Sequence, residues 1–349
     1  MNRLASLRVY VTEKIHADGM RRLAREPLRV DVGSETLPIA EIRRQLAGAD
    51  VILSKTDPLP IDAQTMACAP RLSLVARHGS GYNNVDVASA TRMGILVTNT
   101  PGVNAVTIAE YTVGLMFAAA RRLCFAARMA ALGDPDRIAL SGMELCGKTF
   151  GIIGVGHIGR TVVERVHALG MRVLAHHPRP SARGLGRLPL ELVDLDTLLS
   201  QSDVVSLHVP LNEETRGLIG ARELALMKAS AILLNLSRGG VVDEDALYQA
   251  LRSDALFAAA TDVLVNEPVT TDEPLLSLDN CLVLPHIASV THEAQRAVAL
   301  ATVDEILRLA RGELPGNVVN PAALRHPRWR SFQDTPCNTE RQNRAGIGR

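Results

Sequence analysis

The chain is poor in aromatic residues, which make up 3% of its 349 positions against 47% hydrophobic residues overall. Its interior must therefore be packed with Ala, Val and Leu, the composition of a soluble α/β protein. It also lacks an excess of charge of either sign: 38 Lys plus Arg stand against 37 Asp plus Glu, a formal charge of +1. No bulk field draws such a chain to nucleic acid or to a membrane surface. Long apolar runs are missing too. None approaches a membrane span, and the opening "MNRLASLRVYVTEK" has no apolar core of a secretory signal. Cysteines are few and scattered, at 68, 124, 146, 281 and 337, with no CxxC pair and no metal-ligand spacing. An odd, dispersed set suits a reducing cytosol better than a disulfide framework. A cytoplasmic protein is expected, with no metal, nucleic acid or membrane among its partners. No internal repeat is visible.

What is present is an alternation of strands and helices. Short β-branched runs, "LRVYVT", "LRVDV", "ADVILSK", "RLSLVAR" and "ILVTN", are spaced along the first hundred residues, with helical patterns between the earlier ones. A second series follows, with strand candidates at 150–155, 172–175, 204–208, 231–236, 258–263 and 281–284. Strands separated by roughly ten helical residues imply parallel sheets. The stretch "VNAVTIAEYTVGLMFAAARRL" reads as one helix, apolar nearly all round and hence buried between layers or domains. "THEAQRAVALATVDEILRLARG" is a long amphipathic helix near the end, and residues 326–349, polar and basic, read as a disordered tail. The expected fold is α/β, with two Rossmann-like doubly wound parallel-sheet domains and a cleft between them. Residues 1–103 with 290–325 form one domain, and residues 104–289 form the other.

Ligands of open parallel sheets bind beyond the C-terminal strand ends. The loops that close the strands therefore carry the functional reading. "GIIGVGHIGR" places Gly154-x-Gly156-x-x-Gly159 between a strand and a helix that starts near His157 and Ile158. The first glycine suits a tight turn, the second admits a pyrophosphate against the backbone, and the third lets helix and strand pack closely. A plain structural turn and a methyl-donor (S-adenosylmethionine) site are the competing readings. One helix length on, "MRVLAHHPRP" lacks the Asp or Glu that would hold an adenosine ribose. An acid there would repel the 2′-phosphate of NADP. His177 removes that repulsion, Arg179 can reach a phosphate, and His176 adds a donor. NADP is favoured over NAD.

Three further residues follow apolar strands: Arg238 in "LLNLSRGG", Glu267 in "TDVLVNEP" and His286 in "LVLPHIAS". Singly, each has a bland reading as a surface cation, a turn residue before proline or a loop histidine. Jointly, downstream of a nucleotide loop, they suit hydride chemistry on a 2-keto or 2-hydroxy acid. A histidine exchanges the carbonyl proton near neutral pH. A carboxylate beside it favours the imidazolium. A guanidinium grips the substrate carboxylate with two hydrogen bonds.

With these motifs in place, residues 7–321 resemble the D-isomer-specific 2-hydroxyacid dehydrogenases, a family that includes glyoxylate/hydroxypyruvate reductases and D-3-phosphoglycerate dehydrogenases. The resemblance implies catalysis by Arg238, Glu267 and His286. It implies substrate carboxylate binding at Ser80 and Gly81 in "RHGSGYNNVD" and by Arg238. "HVPLNEETRGLI" resembles the adenine-side segment, which adds His208, Pro210 and Thr215 as cofactor contacts, and "TDVLVNEP" adds Asp262. It further implies a homodimer. The chain departs from the family at Asn83, where Asp is frequent. After the "DVILSKT" strand the Arg that suits a phosphorylated substrate is replaced: Leu53 aligns there, with Lys55 close by. Glyoxylate/hydroxypyruvate reduction is the leading expectation. A D-3-phosphoglycerate dehydrogenase-like enzyme and a cofactor-sensing corepressor-like binding protein are the alternatives. Formate oxidation is disfavoured, because Glu267 stands where those relatives have Gln.

Overall fold

The computed structural model describes residues 7–34, 37–55, 59–133, 140–177, 185 and 187–330. The chain divides into two compact units, residues 1–104 with 291–349, and residues 105–290.

The first unit holds a five-stranded sheet: β1 (Arg8–Val11), β2 (Arg29–Val32), β3 (Val51–Ser54), β4 (Leu74–Arg77) and β5 (Leu96–Thr98). The order is β2-β1-β3-β4-β5, and every pair is parallel. Alternate residues face opposite layers, as the pleat requires. Val9, Val11, Leu53, Leu74, Ala76 and Leu96 share one core with Ala299, Val303 and Ile306 of the long helix His292–Ala310. Tyr10, Ile52, Val75 and Val97 share another with Ile42, Leu46 and Met66. Both faces are covered, which is why these strands read as unbroken apolar runs.

The second unit opens with α5 (Ala105–Ala120) and α6 (Leu123–Leu132), the helices that follow α1 (Ala17–Ala24), α2 (Ile39–Gln45), α3 (Ala63–Ala67) and α4 (Val87–Arg92) of the first. Its sheet has seven strands, β6 (Thr149–Ile153), β7 (Arg172–His176), β8 (Glu191–Leu192), β9 (Val204–Leu207), β10 (Ile232–Asn235), β11 (Ala258–Thr261) and β12 (Cys281–Val283). The order β12-β11-β10-β9-β6-β7-β8 places the reversal of strand order at β6 and β9. Phe150, Ile152, Val173, Val204, Ile232 and Leu234 pack on α5 and on α7 (His157–Ala168). Ile153, Leu174, Val205, Leu207 and Leu233 pack the opposite face, against α8 (Leu195–Gln201), α9 (Ala221–Leu226) and α10 (Glu244–Arg252).

Three features differ from the sequence expectation. The helix read as continuous from 103 to 123 breaks at Arg122, whose φ of 51° is left-handed, and α6 starts anew. Nor is α5 buried all round: Ile108, Leu115 and Met116 face inward, whereas Val106 and Phe117 are exposed. Finally, the tail does not begin at 326. Trp329 is buried in the first unit and its Nε1 donates to Gly94 O at 2.8 Å. Local polarity hid this anchor, since one apolar ring among charged neighbours has no periodicity to betray it. Residues 331–349 lie outside the described residues.

Candidate functional site: the strand ends of a glycine-loop domain

The glycine loop closes β6 at the reversal point. Gly154 has φ 98°, and a Cβ there would lie 2.5 Å from His208 O. A Cβ on Gly159 would lie 2.2 Å from Gly154 O. Both positions therefore require glycine, one for backbone angle and packing, the other for close packing of α7 on the loop. Gly156 differs: a Cβ there meets nothing within 4 Å. It is exposed, caps α7 and leaves an open cradle before His157, which is exposed, and Ile158, which is half-buried. A twelve-residue helix N-terminus over such a cradle suits a pyrophosphate. The residues present thus fit a dinucleotide.

His176 ends β7 and its Nδ1 lies 3.3 Å from Val193 O. Its backbone carbonyl accepts from Gly154 N at 2.9 Å, so the β7 end and the glycine loop are joined directly. His177, half-buried, has its pKa lowered by burial and then by the charges of His176 and Arg160. Arg160, on the first turn of α7, is a cation near this position that the sequence reading passed over. Arg179 lies outside the described residues. Asp194, after β8, is engaged as the cap of α8, accepting from Thr197 N at 2.8 Å and Thr197 Oγ1 at 2.9 Å.

The segment after β9 is internally tied. Burial pushes His208 down to about 4, so its ring is neutral, and its Nε2 lies 2.9 Å from Ser206 Oγ. Thr215 is buried, and Asn212 N donates to its Oγ1 at 2.9 Å while that hydroxyl turns to Pro210 O. Thr215 thus locks the loop, and exposed Pro210 stands at its surface.

Arg238, Glu267 and His286 follow β10, β11 and β12, three adjacent strands. Nδ1 of His286 lies 2.8 Å from Oε2 of Glu267, and Glu267 Oε1 accepts from Leu264 N at 3.0 Å. Hydrogen bonding to Glu267 raises the His286 pKa, against burial and the charge of Arg238. Burial works to raise Glu267, but the bonds from His286 and Leu264 hold it below the ordinary carboxylate value. Arg238 exerts its charge on both and is extended at φ −146°. Asn235 Nδ2 donates to its carbonyl at 3.1 Å.

Supporting residues that motif reading missed surround this triad. A Cβ on Gly239 would lie 2.0 Å from Leu264 C, so only glycine lets the Arg238 turn back onto the Glu267 loop. Glu244 Oε1 accepts from Val265 N at 2.7 Å and fixes that loop from α10. Asp262, read as a cofactor contact, is fully buried with both oxygens engaged: Ile287 N donates to Oδ1 at 2.9 Å, Ala288 N to Oδ2 at 2.7 Å, and Tyr111 Oη to Oδ1 at 3.3 Å. These bonds hold the backbone just after His286, whose own φ of 55° is left-handed. Such an angle at a non-glycine residue costs on the order of 1–3 kcal/mol and persists only where its surroundings enforce it. Long-range backbone clamps of this kind leave no local sequence signature.

In the first unit, the turn after β4 carries Ser80 and Gly81. Thr100 N donates to Gly79 O at 2.9 Å and Asn99 Nδ2 to Ser80 O at 2.7 Å. With its carbonyls tied down, the turn keeps the N–H groups of Ser80 and Gly81 without an acceptor among the described residues.

Comparison with known proteins decides what this arrangement belongs to. Residues 113–288 match the model of the D-isomer specific 2-hydroxyacid dehydrogenase, NAD binding domain. The chain belongs to that family. It is 39% identical over 325 residues to a glyoxylate reductase of Korarchaeum cryptofilum, covering 91% of this chain and 97% of that one. It is likewise 39% identical over 314 residues to a D-3-phosphoglycerate dehydrogenase of Archaeoglobus fulgidus, covering 90% of this chain but only 59% of that longer protein. Among solved structures, an NADPH-dependent glyoxylate/hydroxypyruvate reductase from Sinorhizobium meliloti, in complex with NADP and malonate, superposes with a TM-score of 0.80 at 29% identity, covering 92% of this chain and 99% of that one.

Proposed function

We propose that this dehydrogenase-family chain is an NAD(P)-dependent 2-keto acid reductase acting reversibly on D-2-hydroxy acids, with glyoxylate or hydroxypyruvate as substrate. The observation that carries the reading is the His286–Glu267 pair at the strand ends of a domain whose glycine cradle fits a dinucleotide. When bound, the nicotinamide supplies the hydride. The protein's residues do the rest. Nδ1–H of His286 donates to Glu267, which leaves Nε2 to deliver a proton to the substrate carbonyl oxygen. The hydrogen bond to Glu267 raises the His286 pKa and so favours the protonated ring that donates. Arg238 grips the substrate carboxylate and polarises the carbonyl, and the amides of Ser80 and Gly81, in the first unit, are donors that suit a carboxylate.

On this reading residues 105–290 are the cofactor domain and the remainder is the substrate domain. Gly154, Gly156, His157, Ile158 and Gly159 hold the pyrophosphate. His176, His177 and Arg179, with Arg160, favour NADP over NAD, because the sequence that runs through and beyond β7, residues 171–190, carries no Asp or Glu to repel a 2′-phosphate. A homodimer is supported by α6, an apolar helix with no buried residue, on which Leu123 and Leu132 are 53% and 71% exposed. No helix among the described residues is long and apolar enough to cross a membrane, and a cytoplasmic setting suits the scattered cysteines. The test is NADPH and NADH oxidation with a panel of small 2-keto acids. Turnover supports the reductase. Tight cofactor binding without turnover on any of them supports a cofactor-sensing protein instead.

A further inference from the structure

The turn that carries Glu267 leaves the core at one peptide. Residues 262–264 are buried and residues 265–268 are exposed. Val265, at the break, is 59% exposed and has little packing of its own to hold it. Its amide instead donates to Oε1 of Glu244, the first residue of α10, at 2.7 Å. The preceding amide, Leu264 N, donates to Glu267 Oε1 at 3.0 Å, and Glu267 Oε2 lies 2.8 Å from His286 Nδ1. These contacts run in series from α10 to the ring of His286.

The far end of the series is rigid. Leu247 and Leu251 seat α10 in the core, and Asp243 Oδ1 accepts from Ala246 N at 3.0 Å to cap the helix. The same end reaches the Arg238 turn. Val241 N donates to Arg238 O at 3.2 Å across one turn of 3₁₀ helix, Gly239–Val241. A Cβ on Gly239 would collide with Leu264 C and Val265 N. The peptide that Glu244 holds is therefore the peptide that rests on the Arg238 turn. This acid stands there against opposition. Burial raises its pKa, and the like charges of Glu273, Asp245 and Glu267 push the same way against the bond from Val265. In the first turn of a helix a shorter Asp would suit the dipole equally well. What Asp lacks is reach.

We propose that Glu244 is a positioning residue for the reaction: by holding the Val265 amide it fixes the Glu267 turn against the Arg238 turn, so that Glu267 meets Nδ1 of His286. This rests on the reading of His286 as the proton donor. A displacement of about 1 Å at a reacting group can cost about 10²-fold in rate. Glu267 stands only two residues beyond the anchored amide, so a slack anchor moves its carboxylate directly. The bond to His286 then lengthens, and the ring loses both its orientation and part of the support for its protonated form.

The test separates reach from charge. Glu244→Asp keeps the charge and the helix-end preference but is one methylene too short. Glu244→Gln keeps an accepting oxygen at full reach and loses the charge. Reduction of glyoxylate or hydroxypyruvate by NADPH is followed across pH for both variants and the wild type, with cofactor KM and thermal melts. Glu244→Asp should lower kcat by about tenfold or more, with cofactor KM near the wild-type value. It should also move the falling limb of the pH profile to lower pH, because a loosened Glu267 raises the His286 pKa less. Arg238 and Asp262, the other charges that face His286, are the same in every variant. Glu244→Gln should recover most of the lost kcat and return the limb to its wild-type position. A role in stability alone would lower the melting temperature and leave the limb in place. Glu244→Asp with an unmoved limb therefore overturns the proposal, whatever its melting temperature, as does Glu244→Gln as impaired as Glu244→Asp. A wild type that reduces neither keto acid, or a His286→Ala variant with full turnover, overturns the reductase reading itself, and this inference with it.

Discussion

Glu267 reaches across from the end of β11 to hold Nδ1 of His286 at 2.8 Å, and it holds that ring at a residue whose backbone is left-handed. The pair sets the direction of the pH dependence. The hydrogen bond to Glu267 raises the His286 pKa, against burial. Reduction of a keto acid consumes the imidazolium, so its rate should fall as pH rises through that raised pKa. Oxidation of the hydroxy acid needs the neutral ring and should rise over the same range. Glu267→Gln should move both limbs to lower pH, and pH profiles of kcat/KM in the two directions measure this. Unmoved limbs would mean that Glu267 does not tune the proton donor.

His286→Ala should lower kcat by about 10²–10⁴-fold, the usual worth of a positioned acid–base group. Cofactor affinity, read by quenching or transfer of nicotinamide fluorescence, should stay near the wild-type value. Equal loss of cofactor binding would mark the histidine as structural.

Arg238→Lys should recover little of the activity lost in Arg238→Ala. A point charge on a flexible stem cannot reproduce the planar fork that meets a carboxylate with two bonds. Steady-state kinetics with a 2-keto acid check this, and near-normal kcat/KM for the Lys variant would argue against a bidentate grip.

Asp262→Ala should affect both stability and rate. It strands the amides of Ile287 and Ala288, and each buried donor left unpaired costs about 1–3 kcal/mol. The melting temperature should drop, and kcat should fall more than cofactor affinity does, because the clamp positions His286. Tyr111→Phe, which removes only the longer third bond, should show the same pattern at smaller size.

Much of this site was legible in the sequence, for identifiable reasons. Gly154, Gly156 and Gly159 announce themselves because a strand–turn–helix leaves glycine no local substitute. Arg238, Glu267 and His286 could be selected because apolar runs mark strand ends and parallel topology brings those ends to one edge. What could not be read depends on contacts distant along the chain. Gly239 is needed only because Leu264 backs onto it. Asp262 grips Ile287 and Ala288 from a different strand. Trp329 plugs the first unit beside Gly94 across more than two hundred residues. The break at Arg122 escaped notice because the helical pattern runs through it without a glycine or proline.

His177→Asp should shift cofactor choice. A carboxylate at the end of β7 would accept from the ribose hydroxyls of NADH and repel the 2′-phosphate of NADPH. The NADH-to-NADPH ratio of kcat/KM should rise by about tenfold or more, the scale of one strong charge contact. Arg179→Ala should raise the NADPH KM selectively. An unchanged ratio in both variants would refute a role for this stretch in cofactor choice.

The most direct test of the central claim is NADPH oxidation by the wild-type chain with glyoxylate or hydroxypyruvate, run beside His286→Ala. The account predicts sustained turnover to the hydroxy acid by the wild type, and near-complete loss in a variant that still binds NADPH. Wild-type protein that binds NADPH and turns over neither keto acid would contradict it.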